Sequence, residues 1–190
     1  MKHLRLLSLL AAGLVLAVSA IAQQMPPIPI DSKVKIGKLE NGLTYYIQKN
    51  EYPKGQAEFF IAQKVGSILE DDSQRGLAHF LEHMCFNGTK HFPGNQIITW
   101  CESVGIKFGY NLNAYTSIDQ TVYNISAVPT TRESVQDSCL LILHDWANDL
   151  LLTDEDIDKE RGVIHEEWRR SNNAALRIYD KVLPIIYPNS

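Results

Sequence analysis

The sequence predicts an α+β domain, a mainly antiparallel sheet with helices packed on one face. Two observations lead there: strand-like segments that come in hairpin arrangement, and long stretches of helical periodicity set beside them. Val34 to Leu39 and Leu43 to Gln48 read as strands joined by Glu40-Asn41-Gly42, where the Asn-Gly pair supplies the positive φ values of a tight turn. Gln56 to Val65 reads as a third, less regular strand, and 66 to 76 as a polar loop. Leu77 to Phe86 has the pattern of a helix closed by Asn87-Gly88, and a second helix is expected from Gln96 to Val104. Ile106, Phe108, Tyr110 and Leu112 alternate with Lys107, Gly109, Asn111 and Asn113, so Ile106 to Ala114 has strand period, and Thr121 to Val128 adds another strand. Thr130-Thr131-Arg132-Glu133 fits a capping box before a helix that runs to about Leu150. Thr153-Asp154-Glu155-Asp156 opens a further helix, expected to continue past Trp168.

The bulk properties narrow the class. A chain of 190 residues suffices for one domain with a real core, or for a piece of something larger. Composition is 45% apolar and 21% charged with 11 Gly and 8 Pro, which argues against disordered, collagenous or coiled-coil chains. Lys2 and Arg5 precede an apolar stretch, Leu6 to Val18, which ends in Ala20-Ile21-Ala22. That order of basic start, short apolar run and small-residue site reads as a secretory signal peptide over residues 1–22 rather than a membrane anchor. A Pro-rich extended lead-in is expected over 23–32 and the folded domain over 33–190. The expected location is therefore exported, either periplasmic or secreted, with no membrane span once the signal is cleaved. Loss of the two basic residues moves the formal charge from −4 to −6. A mildly acidic mature chain argues against a nucleic-acid partner. The three cysteines, Cys85, Cys101 and Cys139, cannot all pair within one chain and lack zinc-ribbon spacing, so buried thiols are expected, with room for one disulfide.

The chemistry concentrates on the helix that carries His79-Phe80-Leu81-Glu82-His83. With His79 at zero and 100° per residue, His83 falls at about 40° and Glu82 at about −60°. The three share one arc, and Leu77, Phe80, Leu81 and Met84 fall opposite, as an anchoring apolar face. Two imidazoles one turn apart can reach one tetrahedral ion, and neutral imidazole is a preferred zinc ligand. Glu82 stands where a carboxylate can take a proton from metal-bound water, as the inverted H-x-x-E-H order requires. With six histidines in the chain, such a pattern arises by chance in roughly one chain in a hundred, so the bland alternative is a polar face with unrelated histidines.

A catalytic zinc takes three protein ligands and keeps one position open. In the helix that opens at Thr153, Glu160 and Glu167 share a direction to within about 20°, and Ile157, Val163 and Ile164 lie close to it. Two carboxylates are thus expected on a face meant for burial, where an unpaired charge costs several kcal/mol and a bound cation removes the cost. Glu166 lies about 120° away and is set aside. Helical phase alone does not choose between Glu160 and Glu167.

Several blocks in order resemble the insulinase and pitrilysin family of inverted-motif zinc metallopeptidases: Gly76 to Met84, Phe86-Asn87-Gly88-Thr89, Leu112-Asn113-Ala114-Tyr115-Thr116, and Glu160-Arg161-Gly162-Val163-Ile164 with Glu166-Glu167. The resemblance runs from about Val34 to the end of the sequence. It implies that His79, His83 and Glu167 bind one Zn2+, with Glu82 as general base and Glu160 as a supporting acid that orients a ligand. It further implies that Asn113, Ala114 and Tyr115 belong to an edge strand on which an extended peptide substrate docks by strand addition. Residues 33–190 would then be the incomplete first domain of a clamshell-type zinc endopeptidase acting on short or unfolded polypeptides. Its partner half, or a partner subunit, would supply an Arg and a Tyr to bind substrate and stabilise the oxyanion. One departure is spacing: Glu167 follows His83 by 84 positions, slightly more than is usual in the family, which an insertion between the helices would explain. The rival expectations are a non-catalytic scaffold subunit that binds peptides or a partner, and an inactive fragment lacking its other half.

Overall fold

The computed structural model describes residues 28–188. The expected signal peptide and most of the expected lead-in lie outside the described residues. The chain divides into two compact units, one up to residue 50 and one from residue 51 onward.

The first unit is a hairpin of β1 (Val34–Lys38) and β2 (Thr44–Gln48), antiparallel from Val34 opposite Gln48 to Lys38 opposite Thr44. Gly42 turns the chain at φ 92°, a conformation that costs glycine little, and the Asn41 side chain accepts the Leu43 N–H at 3.1 Å. The expected Asn-Gly turn is the one found.

The second unit runs β3 (Gln56–Gln63), α1 (Leu77–Met84), α2 (Gln96–Ser103), β4 (Leu112–Thr116), β5 (Thr121–Pro129), α3 (Glu133–Asn148), α4 (Asp154–Ser171) and α5 (Ala174–Ile186). Its sheet is antiparallel in the order β3-β5-β4, so β4 stands at an edge; among the described residues its one further bridge is from Leu112 to Phe108. Alternation sets one face of this sheet against the core: Phe59, Ile125 and Leu112 form one row across the strands, Ile61, Tyr123 and Ala114 the next, and Gln63, Thr121 and Thr116 the last. Helix α3 packs on β3 and β5. It buries Val135, Cys139, Ile142 and Trp146, whose steps of four, three and four residues trace one stripe along a helix. The Trp146 indole N–H donates to the Cys85 carbonyl at 2.9 Å, which satisfies a buried donor and ties α3 to the end of α1. The opposite sheet face leaves Phe60 and Tyr115 exposed. The α+β class, the antiparallel pairing and the placing of helices on one face agree with the expectation.

Three local expectations are corrected. Ile106 to Ala114 is not one strand: after buried Ile106 the chain turns through Gly109 (φ 76°), the Lys107 carbonyl accepts the Asn111 and Leu112 N–H groups, and pairing with β5 begins only at Leu112. The capping box does not form. Thr130 extends the end of β5 by donating its N–H to the Gly55 carbonyl, and Arg132 occupies the cap of α3 without a side-chain bond. The helix that opens at Thr153 runs past Trp168 to Ser171 as expected, and Asn173 then accepts the Leu176 N–H at 3.1 Å as the cap of a separate helix, α5. Finally, the apolar side of α1 is only partly covered: Leu77 and Leu81 stay exposed while Ala78 and Met84 are buried. The other capping expectation holds, with the Thr153 hydroxyl accepting the Asp156 N–H at the start of α4.

All three cysteines are buried thiols. Burial pushes Cys85 up to about 11, against a lowering bond with Tyr123 and with a smaller contribution from the Glu82 charge; it raises Cys101 and Cys139 to about 12. Among the described residues, no helix is long and apolar enough to cross a membrane.

Candidate metal centre

Helix α1 starts abruptly after Gly76, which sits at φ 90°. The Glu70 carboxylate reaches back to its first turn, one oxygen accepting the Gly76 N–H at 2.8 Å and the other the Ala78 N–H at 2.7 Å. An anion bonded to the free N–H groups of a helix start fixes the position and rotation of a short helix. That matters because α1 has eight residues and carries both histidines.

Helix α4 packs against α1. This contact brings His79 Nε2, His83 Nε2 and Glu167 Oε2 into a triangle with edges of 3.2, 3.5 and 3.7 Å. An ion bound tetrahedrally at 2.0–2.2 Å holds its ligand atoms about 3.3–3.6 Å apart, so the three atoms already stand at the corners such an ion needs. All three residues are half-buried, which leaves the fourth direction reachable. The residues present therefore fit a zinc-type ion.

Glu160, about two turns earlier on the same face of α4, is buried and lies behind this triangle. Its Oε1 accepts from His83 Nδ1 at 2.8 Å and its Oε2 from the Asn87 amide at 2.7 Å. A carboxylate on Nδ1 places the ring proton there and leaves the Nε2 lone pair to face the other two atoms of the triangle. Glu166, by contrast, bonds Arg169 at 2.8 Å in solvent.

On α1, Glu82 is buried, and its Oε2 accepts the Thr116 hydroxyl at 2.6 Å. Thr116 closes β4, so this bond ties the sheet edge to the helix that carries the histidines. Along β4, Asn113 and Tyr115 are exposed and Ala114 is half-buried. The Asn113 side chain bonds the Ala114 N–H, and the Tyr115 hydroxyl accepts from Gln120.

The structure thus brings His79, His83, Glu167 and Glu160 together and places Glu82 at the join of α1 and β4. Three further contributors went unassigned in the sequence: Thr116, Asn87 and Glu70. Thr116 and Asn87 stand inside the motif blocks, yet Asn87 read as a helix-closing residue. Glu70 had no local signal, since its role depends on a loop folding back over six residues.

Known proteins resemble this chain over most of its length. The profile of the insulinase family (peptidase family M16) matches residues 45–188. The chain is 40% identical over 190 residues to the probable zinc protease PqqL of Escherichia coli, covering all of this chain and 20% of that protein. It is 38% identical over 144 residues to a zinc protease PQQL-like protein of Arabidopsis thaliana, covering 76% of this chain and 15% of the other. The crystal structure of the first half of the periplasmic protease PqqL from Escherichia coli superposes with a TM-score of 0.77 at 42% identity, over 86% of this chain and 35% of that one. The chain therefore spans about a fifth of the length of the curated relatives it matches most fully. By the matched span, the identities and the superposition, this chain belongs to the insulinase family of peptidases, family M16.

Proposed function

We propose that this chain is the zinc-binding catalytic domain of an exported endopeptidase acting on short or unfolded polypeptides. The observation that carries the reading is the triangle of His79, His83 and Glu167, with edges of 3.2 to 3.7 Å, backed by Glu160 on His83. His79, His83 and Glu167 would hold the ion. A bound zinc supplies Lewis acidity, lowering the pKa of water and polarising the scissile carbonyl.

The chain's own residues do the rest. Glu160 holds the His83 ring in the tautomer that presents Nε2, and Asn87 holds Glu160. Thr116 fixes one oxygen of Glu82, which leaves the other to accept a proton from the attacking water. Glu82 then returns that proton to the leaving amine. The free edge of β4, with Asn113, Ala114 and Tyr115, would take an extended peptide as an added strand, and this favours unfolded substrates over folded ones. A partner half supplying an Arg and a Tyr would complete substrate binding and oxyanion stabilisation. The relative described as periplasmic supports export to the same compartment.

The test is hydrolysis of a short unstructured fluorogenic peptide by the zinc-loaded chain and by Glu82→Gln. Turnover should vanish in the variant while its zinc content stays that of the parent. Turnover that survives would remove Glu82 from the role of base.

A further inference from the structure

A second group of ligand-type side chains lies at the other end of the loop that follows α1. Asp145, in the last turn of α3, is fully buried. Its Oδ2 accepts the Thr89 hydroxyl at 2.6 Å and the His91 N–H at 3.0 Å. Its Oδ1 faces His91 Nδ1 at 2.8 Å and His144 Nδ1 at 3.4 Å. Asp149, which caps α3, stands 3.5 Å from the same His144 nitrogen. Ligand atoms of His91, Asp145 and Asp149 all lie within 4.8 Å of one another.

Thr89 and the His91 backbone explain one oxygen of Asp145 as a loop anchor. On the other oxygen two imidazole nitrogens converge, and the Asp149 carboxylate stands beyond them. Two imidazoles and two carboxylates are the donor set of a borderline divalent ion. The position reinforces this. The site sits at the C-terminal end of a 16-residue helix, whose unpaired carbonyls favour positive charge, and the last turn carries no basic residue. His91 and His144 are both well exposed, so an ion can enter from solvent and the longer spacings can close by side-chain rotation.

We propose that His91, His144, Asp145 and Asp149 form a second, structural site for a zinc-class divalent cation. Its effect is to clamp the loop after α1 onto the end of α3, where the Lys90 N–H already donates to the Asp149 carbonyl at 2.9 Å and Thr89 bridges Leu150. Because that loop leads directly from Asn87, the clamp also steadies the residue that holds Glu160.

The experiment equilibrates the full chain with Zn2+, removes loosely held metal by gel filtration, and counts zinc per chain. The parent should hold two. His79→Ala should hold one, and the double variant His91→Ala/His144→Ala should also hold one, since both substituted side chains are exposed and the His91 backbone bond survives. Asp149→Asn provides an independent loss of the same zinc if the double variant misfolds. Zinc should still raise the unfolding temperature of His79→Ala. One zinc in the parent, lost in His79→Ala, overturns the second site and leaves the proposed catalytic one standing. Two zincs kept in the double variant and in Asp149→Asn overturn it as well. One zinc lost only in the double variant upholds this site and overturns the catalytic reading instead.

Discussion

Replacing Glu160 by Gln isolates the contribution of a residue that, on the proposed reading, stands behind the ion rather than on it. Glu160 is buried, and its two oxygens accept from His83 Nδ1 at 2.8 Å and from Asn87 Nδ2 at 2.7 Å. Glutamine keeps the shape but offers one acceptor oxygen, so an N–H of its own amide must oppose one of the two donors. The loss is about one charge-assisted bond, worth about 1.5–3 kcal/mol when its acceptor is charged. Independently, removing the acid behind a ligating histidine typically weakens metal binding by about 10–100-fold, or about 1.4–2.8 kcal/mol. The two routes agree, so Glu160→Gln should weaken zinc by about 10–100-fold. The assay is competition with a chromophoric zinc chelator on the His91→Ala/His144→Ala background, with circular dichroism as a check on folding. Glu167→Ala should lose far more, and Glu166→Ala, whose parent side chain pairs with Arg169 in solvent, should lose nothing measurable. A Glu160→Gln affinity equal to the parent's would show that Glu160 does not orient His83. A loss as large as that of Glu167→Ala would make Glu160 a ligand.

Other consequences concern stability and reactivity. Ile142 is fully buried in the α3 stripe, so Ile142→Ala should destabilise by about 2–5 kcal/mol in urea unfolding, whereas Phe60→Ala on the exposed sheet face should cost little. Burial alone would raise Asp145, but hydrogen bonds from Thr89, from the His91 side chain and backbone, and from His144 outweigh it and hold its carboxyl below the ordinary 3.8. A depressed acid stabilises the fold above its unfolded value and loses that contribution as pH falls through the folded one. Metal-free protein should therefore lose stability below about pH 3.8 more steeply than Asp145→Asn does, as read by thermal melts across pH; parallel curves would contradict the assignment. The three thiols, raised to about 11 or 12 by burial, should react slowly with iodoacetamide at pH 8 in the native state and rapidly in denaturant. Rapid native labelling would place one of them at the surface.

The parts of this molecule that are legible in its sequence are those set by local chemistry. The Asn41-Gly42 turn, the Thr153 cap and the one-turn spacing of His79 and His83 each depend on residues within a few positions. Helical phase also put Glu160 and Glu167 on one face, and the fold turns that face toward α1. Phase could not rank the two, because the ranking depends on how far along α4 the histidines meet it. The failures have the same origin. Thr130 matched a cap in isolation, but pairing with Gly55 drew it into the sheet. Ile106 to Ala114 alternates as a strand should, yet a glycine turn breaks the run before β5 becomes available to pair. Leu77 and Leu81 were assigned to a buried face that the described residues only partly cover. The bonds of Glu70 to α1, of Thr116 to Glu82 and of Asn87 to Glu160 join residues from 6 to 73 positions apart, and no local pattern announces them.

The central claim is that His79, His83 and Glu167 hold one zinc between α1 and α4. Diffraction from crystals of the zinc-loaded chain, recorded on both sides of the zinc absorption edge, tests it most directly. The account predicts an anomalous peak within about 2.0–2.2 Å of His79 Nε2, His83 Nε2 and a Glu167 carboxylate oxygen, with Glu160 still bonded to His83 Nδ1. Folded, zinc-loaded protein with no peak at those three atoms would contradict it.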